Sequence, residues 1–318
     1  MTTKFGSAQE IDQMLEKLGR QRELVHRITK TGIVCIVALF GSGFLLALLS
    51  IIGIFDDPPE FFTVIIVILF ALAFVLPLVG YYAGMWVGAY EKALASRMTP
   101  HILGKIMDHL EVYEAYEALD TDYIRHSDLG LPHYDRIREC QDYAKGVFRG
   151  IPLEFGEFTL EEEQSERDED GDTKTSYVAV FNGLMVVCQH GLDLRDDFSI
   201  TQYTTYIGGN AIRTESEAFN KAYSIRGNDG HSIFYLLTPH YMEKLLALSD
   251  EIGKRLAMQF RKDGKLLLCI SGLNMFEVKE AGSAAELQKQ IEGEMDFLGK
   301  ILETLEIPTQ EQLDAKRR

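Results

Sequence analysis

The chain has 318 residues, 46% of them hydrophobic, and a net charge of −16. That length allows one or two domains with a sizeable core, and the acidic excess argues against nucleic acid, whose phosphates need lysine and arginine. Cys35, Cys140, Cys188 and Cys269 stand far apart, which fits reduced thiols in a cytoplasmic compartment better than a disulfide framework or a zinc site.

From Gln9 to Lys30 an apolar stripe of Ile11, Met14, Leu15, Leu18, Val25 and Ile28 predicts an amphipathic helix. Such a helix suits a membrane surface or coiled coil as well as packing on the chain's own domain. Two runs without Asp, Glu, Lys or Arg follow, at residues 31–55 and 61–90. As helices they would extend roughly 37 and 45 Å, enough to cross a hydrocarbon core of about 30 Å. With the acidic turn Asp56-Asp57-Pro58-Pro59-Glu60 between them, the two runs predict a transmembrane helical hairpin.

Residues 1–30 carry six basic residues and the turn none, so the expectation is a multi-pass protein of the cell membrane with both termini cytoplasmic. The bilayer would then be its first partner. Tyr81, Tyr82, Trp86 and Tyr90 would form an interfacial aromatic belt. Gly80, Gly84 and Gly88 recur every four residues on one face. Small residues let helix backbones approach closely, here against the first span or in a homo-oligomer. Neither run carries a carboxylate, amine, guanidinium or imidazole, the groups on which ion or proton pathways rely.

Residues 91–141 read as a linking helix and loop. Thr99-Pro100 marks a helix start, and Ile102, Leu103, Ile106, Met107, Leu110, Tyr113 and Tyr116 continue an apolar stripe. From about Asp142 to the end, strand and helix signals alternate. Residues 146–160 suggest one or two strands. Residues 161–172 hold eight acidic residues and one arginine, which predicts a solvated loop. Asn182-Gly183 separates two β-rich runs, either as a hairpin turn or as a glycine bulge in one strand. Thr238-Pro239 opens a helix, Asp263-Gly264 turns a hairpin between 255–262 and 265–271, and Ser283-x-x-Glu286 caps a final long helix. The predicted class is α+β: an N-terminal two-helix transmembrane hairpin, then a soluble domain of antiparallel strands and packed helices over residues 142–318. That acidic domain is expected to face the cytoplasm.

Candidate chemistry is sparse. His126, Asp128, His133 and Asp135 form two His-x-Asp pairs seven residues apart, a set able to bind zinc or iron if a loop brings it together. A polar turn around Gly130 and Pro132 explains the same residues more simply. Asp168, Asp170 and Asp172 alternate like the start of a calcium loop, but Gly171 is misplaced. No complete catalytic or cofactor motif occurs, so the catalytic residues of any enzyme here stay unknown and no cofactor is expected.

Two stretches carry a family resemblance. Asp142-Tyr143-Ala144-Lys145-Gly146 with Phe155-Gly156-Glu157-Phe158 is the first. The second runs through Phe219, Tyr223-Ser224, Asp229, Tyr235-Leu236-Leu237-Thr238-Pro239, Met242-Glu243 and Phe276-Glu277. Together they resemble the bacterial membrane protein family of domain of unknown function 3137. The resemblance implies two preceding spans and a neighbouring LemA-type membrane protein as partner. It implies no activity, and its matched residues read as structural, with Tyr235 to Leu237 a core strand. These features lead to a membrane-tethered binding or scaffold module. A membrane-associated, metal-dependent enzyme using the His126 to Asp135 cluster is the alternative.

Overall fold

The computed structural model describes residues 8–51, 60–115, 119–167, 173–205, 210–273, 275–276 and 283–317. The chain divides into two compact units. One is Met1–Arg97 with Val278–Leu287, and the other is Met98–Glu277 with Gln288–Arg318.

The first unit is built on two long helices, α1 (Ala8–Ile51) and the greater part of α2 (Glu60–Ile106). A Cβ added at Gly84 would meet Val25 at 3.9 Å, one at Gly80 would meet Thr29 Oγ1 at 2.7 Å, and one at Gly32 would meet Pro77 at 3.0 Å. Partners that climb one helix thus descend the other, so the two run antiparallel. Gly80 is where a side chain would force them apart, while Gly88 faces open space.

The expected transmembrane hairpin is not supported, because among the described residues no helix is long and apolar enough to cross a membrane. The described part of each uncharged run, residues 31–51 and 61–90, proves to be a section of a longer helix. In α1 it continues a charged stretch bearing the Arg20–Glu16 and Arg27–Glu23 pairs, and α2 runs on to the buried Met98, Ile102 and Leu103. Bilayer partnership and multi-pass placement fall with it, and nothing among the described residues supports the LemA-type partner that the resemblance implied. The expected turn at residues 56–60 lies outside the described residues except for Glu60. The described faces of both helices nevertheless expose large apolar side chains, among them Phe40, Phe74 and Trp86.

Thr99-Pro100 does not start a helix: both sit inside α2, with Thr99 fully buried. The apolar stripe beyond Ile106 is not helical either. It forms strand β1 (His109–Glu114), paired antiparallel with β2 (Arg136–Phe148). The spacing of Leu110, Val112 and Tyr113 fits either state, and pairing with a strand far along the chain decides it. Between them lies the short helix α3 (Asp122–Arg125).

Strand β2 turns at Arg149-Gly150, both with positive φ, into β3 (Ile151–Arg167), which pairs with β4 (Thr173–Gln189). The acidic run is thus a strand through Arg167, and residues 168–172 lie outside the described residues. Strand β4 is continuous across Asn182-Gly183 with neither a turn nor a bulge at that pair; its one register shift against β3 falls at Val180. A Cβ at Gly183 would lie 2.5 Å from the Ile270 carbonyl and 2.9 Å from the Phe181 ring, so glycine admits a neighbouring strand there.

The remaining elements are β5 (Phe198–Thr201), β6 (Ala211–Ile212), α4 (Glu217–Ala222), β7 (Ser224–Gly227), α5 (Gly230–Leu236), α6 (Pro239–Ile252), β8 (Leu256–Phe260), β9 (Lys265–Ser271), α7 (Ala284–Thr304) and α8 (Gln310–Arg317). Tyr235 and Leu236 belong to helix α5 rather than a core strand, and Tyr235 is exposed. Asp229 caps that helix, its Oδ1 accepting the His231 and Ser232 amides. The cap at Thr238 holds as expected, its hydroxyl accepting the Tyr241 amide at 3.2 Å. The Asp263-Gly264 hairpin joins β8 to β9.

Among the described residues nine strands form one sheet, ordered β1-β2-β3-β4-β9-β8-β5-β7-β6 with every neighbour antiparallel. Strands β8 and β9 sit at its centre, buried on both faces. Leu267 and Cys269 pack with Leu119, Ile124 and Leu129, which cross one face. Leu266, Leu268 and Ile270 occupy the opposite face by strand alternation and are equally buried.

Candidate binding cleft

Local structure brings five segments of the second unit to the rim of one cleft of about 790 Å³. Residues 130–133 form one side, held by the Thr201 hydroxyl donating to the Leu129 carbonyl at 3.0 Å. Helix α6 ends at Gly253, whose left-handed backbone (φ 57°) and bond to the Ser249 carbonyl turn the chain into Lys254 and Arg255. Strand β9 ends at Gly272, whose amide bonds the Asn182 carbonyl at 2.8 Å and whose carbonyl accepts Lys254 Nζ at 2.6 Å. Val180 and Phe181 of β4, with Tyr203 and Thr204 beyond β5, complete the lining.

The aromatic part is fixed in place. Phe181 stacks on Phe158 at 5.5 Å and meets the Tyr203 ring edge-on at 5.3 Å. The Tyr203 hydroxyl reaches the Arg255 and Cys269 carbonyls at 2.9 and 3.0 Å. Burial pushes that phenol well above its ordinary value, so it stays a hydroxyl donor locking β5 to β8 and β9. Ser271 is also engaged, accepting the Arg255 amide at 3.2 Å.

Charge distinguishes the cleft. Its lining includes Lys254, Arg255 and His133 and no aspartate or glutamate, in a chain of net charge −16. A smaller hollow of about 250 Å³, lined by Glu111, Lys145, Glu154 and Lys265 among others, is mixed in sign. The cleft therefore offers two cations beside an apolar aromatic floor, which suits an anionic group attached to an apolar body.

The His126 to Asp135 residues are placed separately. His126 lies 3.7 Å from Asp122, and His133 lies 3.7 Å from Glu162. The Asp128 carboxylate pairs with Arg226 at 3.1 Å while its amide donates to Gln259. Asp135 accepts the Glu163 amide at 2.7 Å and its own amide bonds the Glu161 carbonyl. Each carboxylate thus fastens the loop to a strand, and only His133 reaches the cleft. Among the described residues no group of three or more His, Cys, Asp and Glu is arranged to hold a metal ion. Cys140, Cys188 and Cys269 are free and buried, and burial pushes their thiols up to about 11, 12 and 12.

Lys254, Arg255 and Tyr203 were not legible as a site. The one sequence signal for the two cations is a Gly-Lys-Arg step after a helix, and nothing in the sequence marks Tyr203.

Residues 177–307 match the family model described as protein of unknown function (DUF3137). No curated protein and no solved structure matches the chain. The matched span contains the stretch from Phe219 to Phe276-Glu277 and leaves out Asp142 to Phe158. Several of its signature residues are visibly structural: Phe219 stacks on Tyr223 at 4.9 Å, and Asp229 and Thr238 cap helices. Ser232, hydrogen-bonded to Asp229, holds that exposed carboxyl below its usual value. The likeness to that family of unknown function thus covers residues 177–307, from within β4 to just past α7.

Proposed function

We propose that this domain is a binding module whose cleft captures an anionic ligand with an apolar body. One observation carries the reading: the cleft presents Lys254 and Arg255 over Phe181 and Tyr203 without a carboxylate in its lining. No acid in the lining cancels the attraction of Lys254 and Arg255 for an anion, and the rigid aromatic floor needs little reordering on binding. A catalytic reading lacks comparable support. The hydroxyls of Tyr203 and Ser271 are committed to backbone groups, and no cysteine lines the cleft. No observation favours a metal-dependent enzyme built on His126, Asp128, His133 and Asp135.

The test is calorimetric titration of the full chain with N-acetyl-phenylalanine and with its uncharged amide. The carboxylate should bind and the amide should bind at least about tenfold more weakly, the scale of a charge-assisted hydrogen bond. Changing Lys254 and Arg255 together to glutamine should erase the difference. Equal binding of acid and amide to the unaltered chain contradicts the proposal.

A further inference from the structure

We infer that residues 191–197 and helix α8 form one strap across an end of the sheet, held closed by neutral His190 and released when that ring takes up a proton.

The strap is built around the ring. His190 directly follows β4, and its amide donates to the Gly264 carbonyl at 3.0 Å in the turn between β8 and β9. The residue is buried, with its ring against that of Phe260, centroids 5.7 Å apart. Nε2 lies 2.8 Å from the Arg261 carbonyl, which can only accept, so Nε2 carries a proton. Nδ1 lies 3.0 Å from the Leu192 amide, which can only donate, so Nδ1 is bare. One nitrogen thus grips the hairpin and the other closes the segment that follows. Leu194 is buried within that segment, and at its far end Asp197 Oδ1 accepts the Lys262 amide at 2.8 Å. Gly191 joins α8 to it. Its backbone is left-handed, φ 67°, and its carbonyl accepts Lys316 Nζ at 2.9 Å. An added Cβ there would lie 3.0 Å from Pro308 and 3.3 Å from the buried Leu313. At its start α8 is tied to the β2–β3 turn, where the Gln310 amide donates to the Gly150 carbonyl at 2.7 Å.

A second proton has only Nδ1 to go to. It turns that atom from acceptor to donor and sets two N–H groups head to head, so the Leu192 bond is broken and a buried amide loses its partner. The charges around the ring do not rescue the cation. Asp263 in the β8–β9 turn is paired with Arg261 at 3.2 Å, and Asp197 is engaged by the Lys262 amide. Lys316 on α8 repels a charged ring. Burial opposes the charge most, and with Lys316 it outweighs the two carboxylates and the Arg261 carbonyl, which favour it. The ring therefore takes its proton where it reaches water, with residues 191–197 moved aside. Gly191 carries the Lys316 contact and the packing on Leu313, so α8 leaves with them.

The experiment follows amide hydrogen exchange of the full chain at pH 7.5 and 5.5, each rate divided by that of an unstructured amide at the same pH. The Leu192 and Leu313 amides should exchange through one shared opening, more populated than the opening that exposes Leu267 and Leu268 in β9. Its population should rise about tenfold at pH 5.5, the change expected for a ring that titrates near 6.5 when open and stays neutral when closed. His190→Asn keeps a side-chain carbonyl that can accept the Leu192 amide and removes the titration. In that variant the population should change by less than about twofold. An opening of the unaltered chain that is the same at both pH values overturns proton release, as does an equal rise in the variant. Leu313 exchanging independently of Leu192, or both exchanging only at the rate of β9, overturns the strap. If the variant fails to fold, the unaltered chain alone decides both points.

Discussion

Asp142 adopts φ 54°, a left-handed backbone that few residues other than glycine accept, at an irregularity in β2. The Tyr113 hydroxyl donates to its Oδ1 at 2.5 Å, so a side-chain bond across β1 and β2 holds a backbone conformation that is costly on its own. Burial first, and the Asp142 charge second, push the Tyr113 phenol up, which keeps it a donor at any physiological pH. Tyr113→Phe should therefore lower stability by about 1–3 kcal/mol, the scale for a hydrogen bond to a charged group. Urea unfolding checks this, and a change under about 0.5 kcal/mol would show that the bond holds nothing. The thiols lead to a second expectation at this scale. Cys140, Cys188 and Cys269 are buried with raised thiol values, and the thiolate is the reactive species. These three should stay unreactive to a disulfide reagent at pH 8 in the native protein and react fully in denaturant. Fast native reaction of any of them contradicts that placement.

Among the elements, the centre of the sheet depends on β4 running unbroken past Gly183. Gly183→Ala would press a methyl group on the Ile270 carbonyl and the Phe181 ring. We expect a loss of about 1–3 kcal/mol and weaker protection of β9 amides in hydrogen exchange; unchanged protection would contradict the close approach. Just beyond β4, His190 is 5% exposed, and its Nδ1 accepts the Leu192 amide while Nε2 donates to the Arg261 carbonyl. That arrangement requires the neutral ring, and burial lowers its proton affinity below the ordinary value of 6.5. The unfolded chain then binds a proton that the folded one refuses. His190's contribution is fully present above about pH 6.5 and declines as pH falls below it. Between pH 7.5 and 5.5 the wild type should lose more stability than His190→Gln; parallel curves would contradict this.

Local signals served well where the deciding contacts are local. The Thr238 cap and the Asp263-Gly264 hairpin depend on neighbours a few residues away and were readable. Strand β1 and the continuity of β4 depend on partners far along the chain; the helical spacing at Leu110 to Tyr116 pointed elsewhere, and the Asn-Gly pair left turn and continuous strand open. The cleft was unreadable for the same reason, since Phe181, Tyr203, Arg255 and Gly272 meet only after β4, β5, β8 and β9 are paired.

At the scale of the whole molecule, charge segregation is the dominant feature. A chain of net charge −16 keeps acidic residues out of the lining of the cleft beside Phe181 and Tyr203 and places two cations there. Like charge elsewhere opposes the approach of anions over distance, while the cleft attracts them at contact. Binding should therefore weaken with added salt as the contact pair is screened, though less than for a fully exposed pair. The length of the uncharged runs predicts spans, yet their described residues are parts of α1 and α2, and no described helix is long and apolar enough to cross a membrane. Exposed side chains such as Phe40, Phe74 and Trp86 remain on those helices, and contiguous apolar surface favours association. The full chain should associate more at rising concentration than one beginning at Met98, as measured by light scattering. Equal behaviour would show that these faces contribute nothing.

The most direct measurement is the map of backbone amide shifts in the full chain as N-acetyl-phenylalanine is added. The account predicts saturable shifts concentrated at Gly253, Lys254, Arg255, Gly272 and Phe181, absent with the neutral amide. Shifts centred elsewhere, or none at millimolar ligand, would contradict it.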